Sequence, residues 1–435
     1  MENVNRLLES TEIPAMFRVR QHFDRAHLTP EQIRQIIAQL LHEGPLRRSI
    51  RPGLRIALTA GSREIRNMPE ILAAAAECLR NQGAYPFIVP AMGSHGGATA
   101  EGQRALLESY HITEARCGCP ILSSMEVVPI GATPDGQTVF LDKNAADADG
   151  ILVINRIKAH TGFHGPYESG IMKMMAIGLG KQAGAEACHR RGFGHMAENL
   201  EAFGRVILQR APVLGAIAIL ENAFDETARL VGLLPEEIPQ KEPLLLKEAK
   251  DSMPKILLPS CDVLIVDEIG KNYSGTGMDP NVTGRQVTPY CSGGLRAQKV
   301  AVLRLSSKSH GNGYGIGAAD CTTQAVYRSL DLNAMYINGL TCLAAGPCHI
   351  PCVFDSERLA IQAAIRMCED LPPSGPRVIR IANTLNLETI LVSENCLEEV
   401  QAHPQLEAAG APFSLSFSPT GQLLSPVTAE GLPSA

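Results

Sequence analysis

Short apolar runs separated by helical stretches recur through the first two-thirds of this 435-residue chain, and that alternation restricts it to layered α/β architectures with some parallel pairing. Residues 54–60, LRIALTA, read as a buried strand. Residues 67–82, rich in Ala and Leu, read as a helix that stops at Gly83, a residue suited to a C-cap. Residues 85–89 form the next expected strand. Residues 99–110 are the next helix, with Thr99 as its N-cap, and 150–155 are another buried strand. Beyond a Pro- and Lys-rich stretch at 234–259, taken as an interdomain junction, the alternation resumes. Strands are expected at 261–266, 299–305, 377–381 and 389–392, and a capped helix at 355–369. Past Pro412 the composition predicts a tail that is loosely ordered near its end.

The fold expected is therefore α/β, with domains at 1–255 and 256–435 facing each other across a cleft, and the last helix or tail free to return to the first domain. A hydrophobic content of 45% suits two substantial cores. The formal charge of −6, without a basic tract, excludes general attraction to nucleic acid. Aromatics at 4%, with no tryptophan, argue against a carbohydrate- or base-stacking surface. No apolar stretch is long enough for a membrane span, and the polar first ten residues carry no signal core. Twelve cysteines without such a signal point to reduced thiols in a cytoplasm. Cys342, Cys348 and Cys352 (with His349) and Cys117 with Cys119 match no metal spacing, and read as small buried hydrophobes.

Ligands of open α/β sheets sit beyond the C-terminal ends of strands, so function is sought in the loops there. In the first loop, 90–99, glycines permit close backbone approach, the next helix offers N–H groups to an anion, and His95 suits acid–base work. The bland alternative is a strand-to-helix turn with an exposed histidine. The second loop, 155–191, holds His160, His164, Lys173 and His189 among six glycines and is net positive in a net negative protein, which suits phosphate or carboxylate ligands. Its bland alternative is a solvated basic face. His160 and His164 have the spacing of a helical zinc pair, but Gly162, Gly165 and Pro166 oppose a helix there. Lys173 and His189, sixteen residues apart, would lie about 24 Å apart on one straight helix. Sharing a site requires the chain to fold back, which Gly178, Gly180 and Gly184 permit. The third loop, 268–285, offers Lys271, Asn281 and Arg285 to a carboxylate, or else is an exposed glycine-rich flap.

Taken together, Gly93-Ser94-His95, His160-Thr161-Gly162-Phe163, Gly170-Ile171-Met172-Lys173 and His189 resemble the nickel-pincer-nucleotide lactate racemase family, most firmly between residues 151 and 189. The resemblance implies an isomerase, a racemase or epimerase of 2-hydroxy acids. Its cofactor would be a nickel-bearing pyridinium-3-thioamide-5-thiocarboxylic acid mononucleotide. It implies that Lys173 carries this nickel-pincer nucleotide covalently, that His189 ligates the nickel, and that Gly93, Ser94 and Gly178 contact the cofactor. The hydrogen at C2 would move as a hydride, with His95 and His160 as the acid–base pair. The segment between His160 and Lys173 is longer than in the lactate enzymes, so His164 stands as the alternative second base.

The family's Asp-x-x-Arg-Pro motif is matched by Arg63-Glu64-Ile65-Arg66 with Pro69 further on. Arg66 then keeps the arginine's role in catalysis and substrate binding, and the aspartate is lost. Its Leu-Asp-x-Asn-Leu-Tyr-Gln run is matched by residues 278–284. Thr283, Arg285 and Lys271 are the expected substrate contacts, and loss of Tyr-Gln leaves the substrate's side chain open. The partners implied are a small 2-hydroxy acid and the enzymes that make the cofactor, with homo-oligomerisation undecided. Two other classes compete. One is a non-catalytic protein that captures an anionic metabolite on the same fold. The other is a metal hydrolase built on His160, His164 and His189.

Overall fold

The computed structural model describes residues 2–427, which divide into a unit of residues 24–253 and a unit formed by 2–23 with 254–427. In the first unit, five strands lie side by side in the order Tyr85–Pro90, Arg55–Ala60, Gly150–Arg156, Val213–Glu221, Thr227–Leu233. The first four are parallel and the last is antiparallel. Alternate residues serve the two faces. Ala57, Val89, Ile151 and Val153 enter one core, while Ile56, Leu58, Leu152 and Ile154 enter the other. Helices Met68–Asn81 and Met196–Arg210 cover opposite faces. Numbered along the chain, the sheet order is 2-1-3-4-5. The chain leaves Arg55–Ala60 and Gly150–Arg156 in opposite directions, and the crevice beyond their C-terminal ends is where such sheets bind ligands.

The sequence-derived strands and helices of this unit are present, mostly within a residue or two. Thr99 caps Ala100–Ser109 by accepting from Gly102 N–H, and Gly83 takes a φ of 81° after Met68–Asn81. Patterning alone did not find the hairpin Val127–Ala132 with Thr138–Asp142, nor the strands Val213–Glu221 and Thr227–Leu233. The supposed junction at 234–259 is mostly the helix Ile238–Ser252. Pro239 occupies its first turn, where the missing N–H costs nothing, and Leu245, Leu246 and Ala249 bury a helical stripe in the first unit's core.

The second unit carries an eight-stranded sheet in the order Cys352–Phe354, Cys321–Thr323, Arg296–Leu305, Ser260–Ile269, Val378–Ile381, Thr389–Ser393, Met16–Gln21, Leu406–Phe413. Its first five strands are parallel and the rest antiparallel. Sequence reading placed the N-terminal residues with the first domain. Instead Met16–Gln21 pairs between Thr389–Ser393 and Leu406–Phe413, which draws residues 2–23 into the second unit and keeps the last strand there. The strand Leu406–Phe413 closes where the expected tail begins, and the end of that tail, residues 428–435, lies outside the described residues.

One buried polar network fixes the geometry at the first unit's strand ends. Lys181, with no exposed side-chain surface, pairs with the equally buried Asp142 at 3.1 Å. Its ammonium donates to the Pro90 carbonyl and, at 3.0 Å, to Gln103 Oε1. Gln103 Nε2 in turn donates to the Gly93 carbonyl at 2.9 Å. Burial lowers the Lys181 pKa and raises that of Asp142, so each partner keeps its charge only because the other is there. Replacing Lys181 by Met strands the Asp142 carboxylate and is expected to cost roughly 3–5 kcal/mol in denaturant unfolding. Adding Asp142→Asn should recover most of that loss; no recovery would mean that the pair is not the source of the stability.

Candidate active site

Three loops leave the neighbouring strands Tyr85–Pro90, Arg55–Ala60 and Gly150–Arg156. The first is tied to the helical corner that follows the third. Gly93 N–H donates to the Gly178 carbonyl at 3.2 Å. A Cβ on Gly93, whose φ is 59°, would stand 3.2 Å from Ile177 Cγ2, and one on Gly178 only 2.8 Å from the Ala91 carbonyl. Two glycines expected to serve one cofactor therefore touch each other, and neither tolerates a side chain. Ser94 and His95 sit exposed at the tip. His95 Nδ1 donates to the Met92 carbonyl at 2.9 Å, so in the neutral ring Nε2 carries the lone pair.

The third loop, residues 157–170, is non-helical, in keeping with its glycines and proline. Its organiser is Glu168, which is buried, accepts from the backbone N–H of His160 (2.7 Å) and Gly165 (3.1 Å), and pairs with Lys250 at 2.6 Å. The His160 ring lies 4.3 Å from that of Phe163, centroid to centroid. Gly162 N–H donates to its Nδ1 at 3.0 Å, which puts the neutral ring's proton on Nε2. Burial, and then the nearby charges of Lys173, His189, Arg63 and His164, push its pKa well below the usual imidazole range. His160 is thus held neutral at physiological pH.

Lys173 ends a single turn, Ile171–Lys173, that opens from Gly170. No side chain of Gly170 can cap it, because a Cβ there would fall 2.0 Å from Glu242 Oε1. Glu242 caps the turn from the helix Ile238–Ser252 instead, its Oε2 accepting from Met172 N–H at 3.0 Å. Asn155 Nδ2 holds the Gly170 carbonyl at 2.9 Å. The chain continues through the wide turn Met174–Gly178, reverses at Gly180 and Lys181 (φ 53°), and enters Lys181–His189. Gly180 and Gly184 approach so closely that a Cβ on the former would be 2.8 Å from the latter's Cα.

His189 Nδ1 donates to the Ala185 carbonyl at 2.7 Å, leaving the Nε2 lone pair for another partner. Burial lowers its pKa and the Lys173 charge adds to that, against the Ala185 hydrogen bond. The rings of His160 and His189 stand 6.1 and 6.2 Å from Phe193. The fold-back required of residues 173–189 is therefore present, and the Lys173 amine bears electrostatically on both imidazoles.

Other candidates are engaged elsewhere. Arg66 is exposed and paired with Glu226 at 2.8 Å. In the second unit Thr283 is fully buried, Arg285 pairs with Asp320 at 2.7 Å, and Lys271 donates to the Gly275 carbonyl and Asn338 Oδ1. Among the described residues no three His, Cys, Asp or Glu side chains are placed to hold a metal ion together, so the protein-only site that a His160–His164–His189 hydrolase needs is not built. Sequence reading gave no role to Glu242 or Arg63, and weighed Glu168 only as an acid near the histidines that a hydrolase could use as its base. Arg63 stands where the motif lost its aspartate, and that substitution was the one visible signal.

Residues 8–201 match the model of the lactate racemase N-terminal domain. The chain is similar in fold to the lactate racemase apoprotein from Thermoanaerobacterium thermosaccharolyticum, with a TM-score of 0.51 at 12% identity over 86% of this chain and 99% of that one. A structural-genomics protein from Thermotoga maritima aligns with a TM-score of 0.49 at 10% identity, over 81% and 86% of the two chains. No curated protein sequence matches the chain. Among the described residues no helix is long and apolar enough to cross a membrane.

The Glu242 cap yields a pH signature. Burial raises its pKa from 4.5 to about 8, against the two N–H groups it accepts, and Oε1 has no partner. A folded-state pKa above the unfolded one contributes stability that is full below 4.5 and lost as pH rises through about 8. Wild-type stability should therefore decline across that window by more than in Glu242→Gln, as measured by urea unfolding at several pH values. Parallel profiles would show that the buried carboxyl ionises as easily when folded as when unfolded.

Proposed function

We propose that this chain is a racemase or epimerase acting at C2 of a 2-hydroxy acid, with a nickel-pincer nucleotide joined to Lys173 and His189 as the protein's ligand to the metal. The observation that carries the reading is the convergence of Lys173, His189 and the neutral His160 in one neighbourhood of the first unit. The residues fit the group. His189 offers one imidazole lone pair with its other nitrogen fixed by Ala185, and among the described residues no group of three His, Cys, Asp or Glu side chains could hold a metal, as suits an ion whose remaining donors come from a cofactor. Gly93 and Gly178 join the first loop to the corner after Lys173 through their backbones, and Ser94 stands exposed at that loop's tip.

When bound, the cofactor supplies soft sulfur and carbon donors to nickel and a pyridinium ring able to take and return a hydride. The protein's part is proton handling and orientation. His95 presents a lone pair on Nε2 and suits acceptance of the substrate's hydroxyl proton. His160 presents an N–H on Nε2, which suits a hydrogen bond to the substrate's oxygen; to act as the acid it would give up this proton as Nδ1 takes one up. Inversion requires the two to exchange roles, which for His160 means releasing the Gly162 N–H from Nδ1. Glu168 and Glu242 hold the backbone on either side of Lys173 so that this amine and the His160 ring keep their places.

The test is protein produced together with the cofactor-synthesis enzymes. Intact mass should show an adduct that is lost in Lys173→Ala, and chiral chromatography across a panel of 2-hydroxy acids should show one enantiomer converting to the racemate. His189→Ala should keep the adduct and lose nickel affinity by at least ~10-fold. An unmodified Lys173 without nickel, under conditions that load a known racemase, would refute the reading.

A further inference from the structure

Four cations lie at the C-terminal ends of the strands Arg55–Ala60 and Gly150–Arg156, and three have carboxylates of their own. Arg156 pairs with Glu221 at 2.5 Å, Lys158 with Asp225 at 3.7 Å and Arg66 with Glu226 at 2.8 Å. Arg63 makes no hydrogen bond or ion pair among the described residues. Its loop is held against the site. The Tyr110 hydroxyl donates to the Ser62 carbonyl at 3.1 Å, and a Cβ on Gly61 would lie 3.1 Å from the Met174 methyl and 3.6 Å from Asn155 Oδ1. Met174 follows Lys173, and Asn155 holds Gly170, so Arg63 extends from a backbone packed on the site's own framework.

Its side chain meets solvent, yet enough protein surrounds the guanidinium to lower its pKa, and the Arg156 charge lowers it further. Its charge reaches His160. A cation that is crowded, unpaired and beside other cations is costly unless an anion arrives from outside.

We propose that Arg63 binds the carboxylate of the substrate, through the two parallel N–H donors of its guanidinium, beside His160. This rests on the reading of the site as a 2-hydroxy acid isomerase. It replaces Arg66, already neutralised by Glu226, as the anchor, and it makes a positive group of the position where the family carries an aspartate. A planar guanidinium matched to a carboxylate fixes the plane of the acid and hence the direction in which the C2 substituents point.

The experiment uses oxalate, a carboxylate with an adjacent oxygen, titrated calorimetrically into the full-length apoprotein. Arg63→Gln should weaken oxalate binding at least ~10-fold, as expected for loss of a charge-assisted hydrogen-bond pair, and Arg63→Lys should fall between. Arg229→Gln, which removes the same charge from an exposed pair with Glu248, should bind like wild type. The melting temperature of apo Arg63→Gln should equal or exceed that of wild type, because no native partner is lost. Oxalate should raise the wild-type melting temperature and leave that of the variant unmoved. In nickel-loaded enzyme the same substitution should raise KM about tenfold, with a smaller change in kcat.

Wild-type oxalate affinity in Arg63→Gln, or a KM unchanged by it in an active loaded enzyme, overturns the assignment and leaves the isomerase reading standing. Binding of inorganic phosphate that depends on Arg63, where oxalate binding does not, gives the residue to the nucleotide's phosphate and also overturns it. Oxalate binding that depends on Arg63, in a loaded protein that inverts no 2-hydroxy acid, keeps the anion site and sinks the isomerase reading.

Discussion

An ammonium group sealed from water holds this site together. Lys181 reaches the Pro90 carbonyl at the end of one strand, Gln103 on the helix Ala100–Ser109 and Asp142 at the end of a hairpin, and it does so from the corner between Lys173 and His189. Desolvating such a charge is expensive, and the cost is recovered only if every partner is in place at once. The network is therefore cooperative. The loop that carries His95 and the corner that carries Lys173 and His189 cannot settle independently, and their relative position is set by a polar contact rather than by apolar packing, which would tolerate sliding.

Around this anchor the electrostatics are one-sided. Lys173, Arg63 and Arg156 crowd together, and burial, helped by the Lys173 charge, lowers the pKa of His160 and of His189 and favours their neutral rings. Two acids, Glu168 and Glu242, lie behind this surface, Glu168 paired with Lys250 and accepting from backbone N–H groups, and Glu242 accepting from the Met172 N–H with its pKa raised by burial. The result is a positive face supported from below by acids that do not neutralise it. Such a face suits a small anionic substrate and a phosphorylated cofactor.

Much of the first unit was legible from sequence because its strands are continuous apolar runs and its helices carry recognisable caps, Thr99 and Gly83 among them. The helix Ile238–Ser252 was hidden by prolines that read as breakers but stand near its start, and Met16–Gln21 was hidden because its partners lie hundreds of residues away. At the site, His95, His160, Lys173 and His189 stood out through composition and resemblance. Glu242 did not, since nothing local marks a glutamate as the cap for a turn seventy residues upstream. Arg66 drew notice by its place in a motif. Its engagement by Glu226 depends on a hairpin turn that no local pattern connects with residue 66.

That hairpin turn, residues 221–226, deals out three carboxylates, one each to Arg156, Lys158 and Arg66. It functions as a selector that decides which positive side chain is left to meet a ligand. Exchanging one acid there for an amide would release a different cation, Arg156 from Glu221, Lys158 from Asp225 or Arg66 from Glu226. A short surface connection, remote in sequence from the reacting groups, could thus retune the acids this scaffold admits while the chemistry stayed intact.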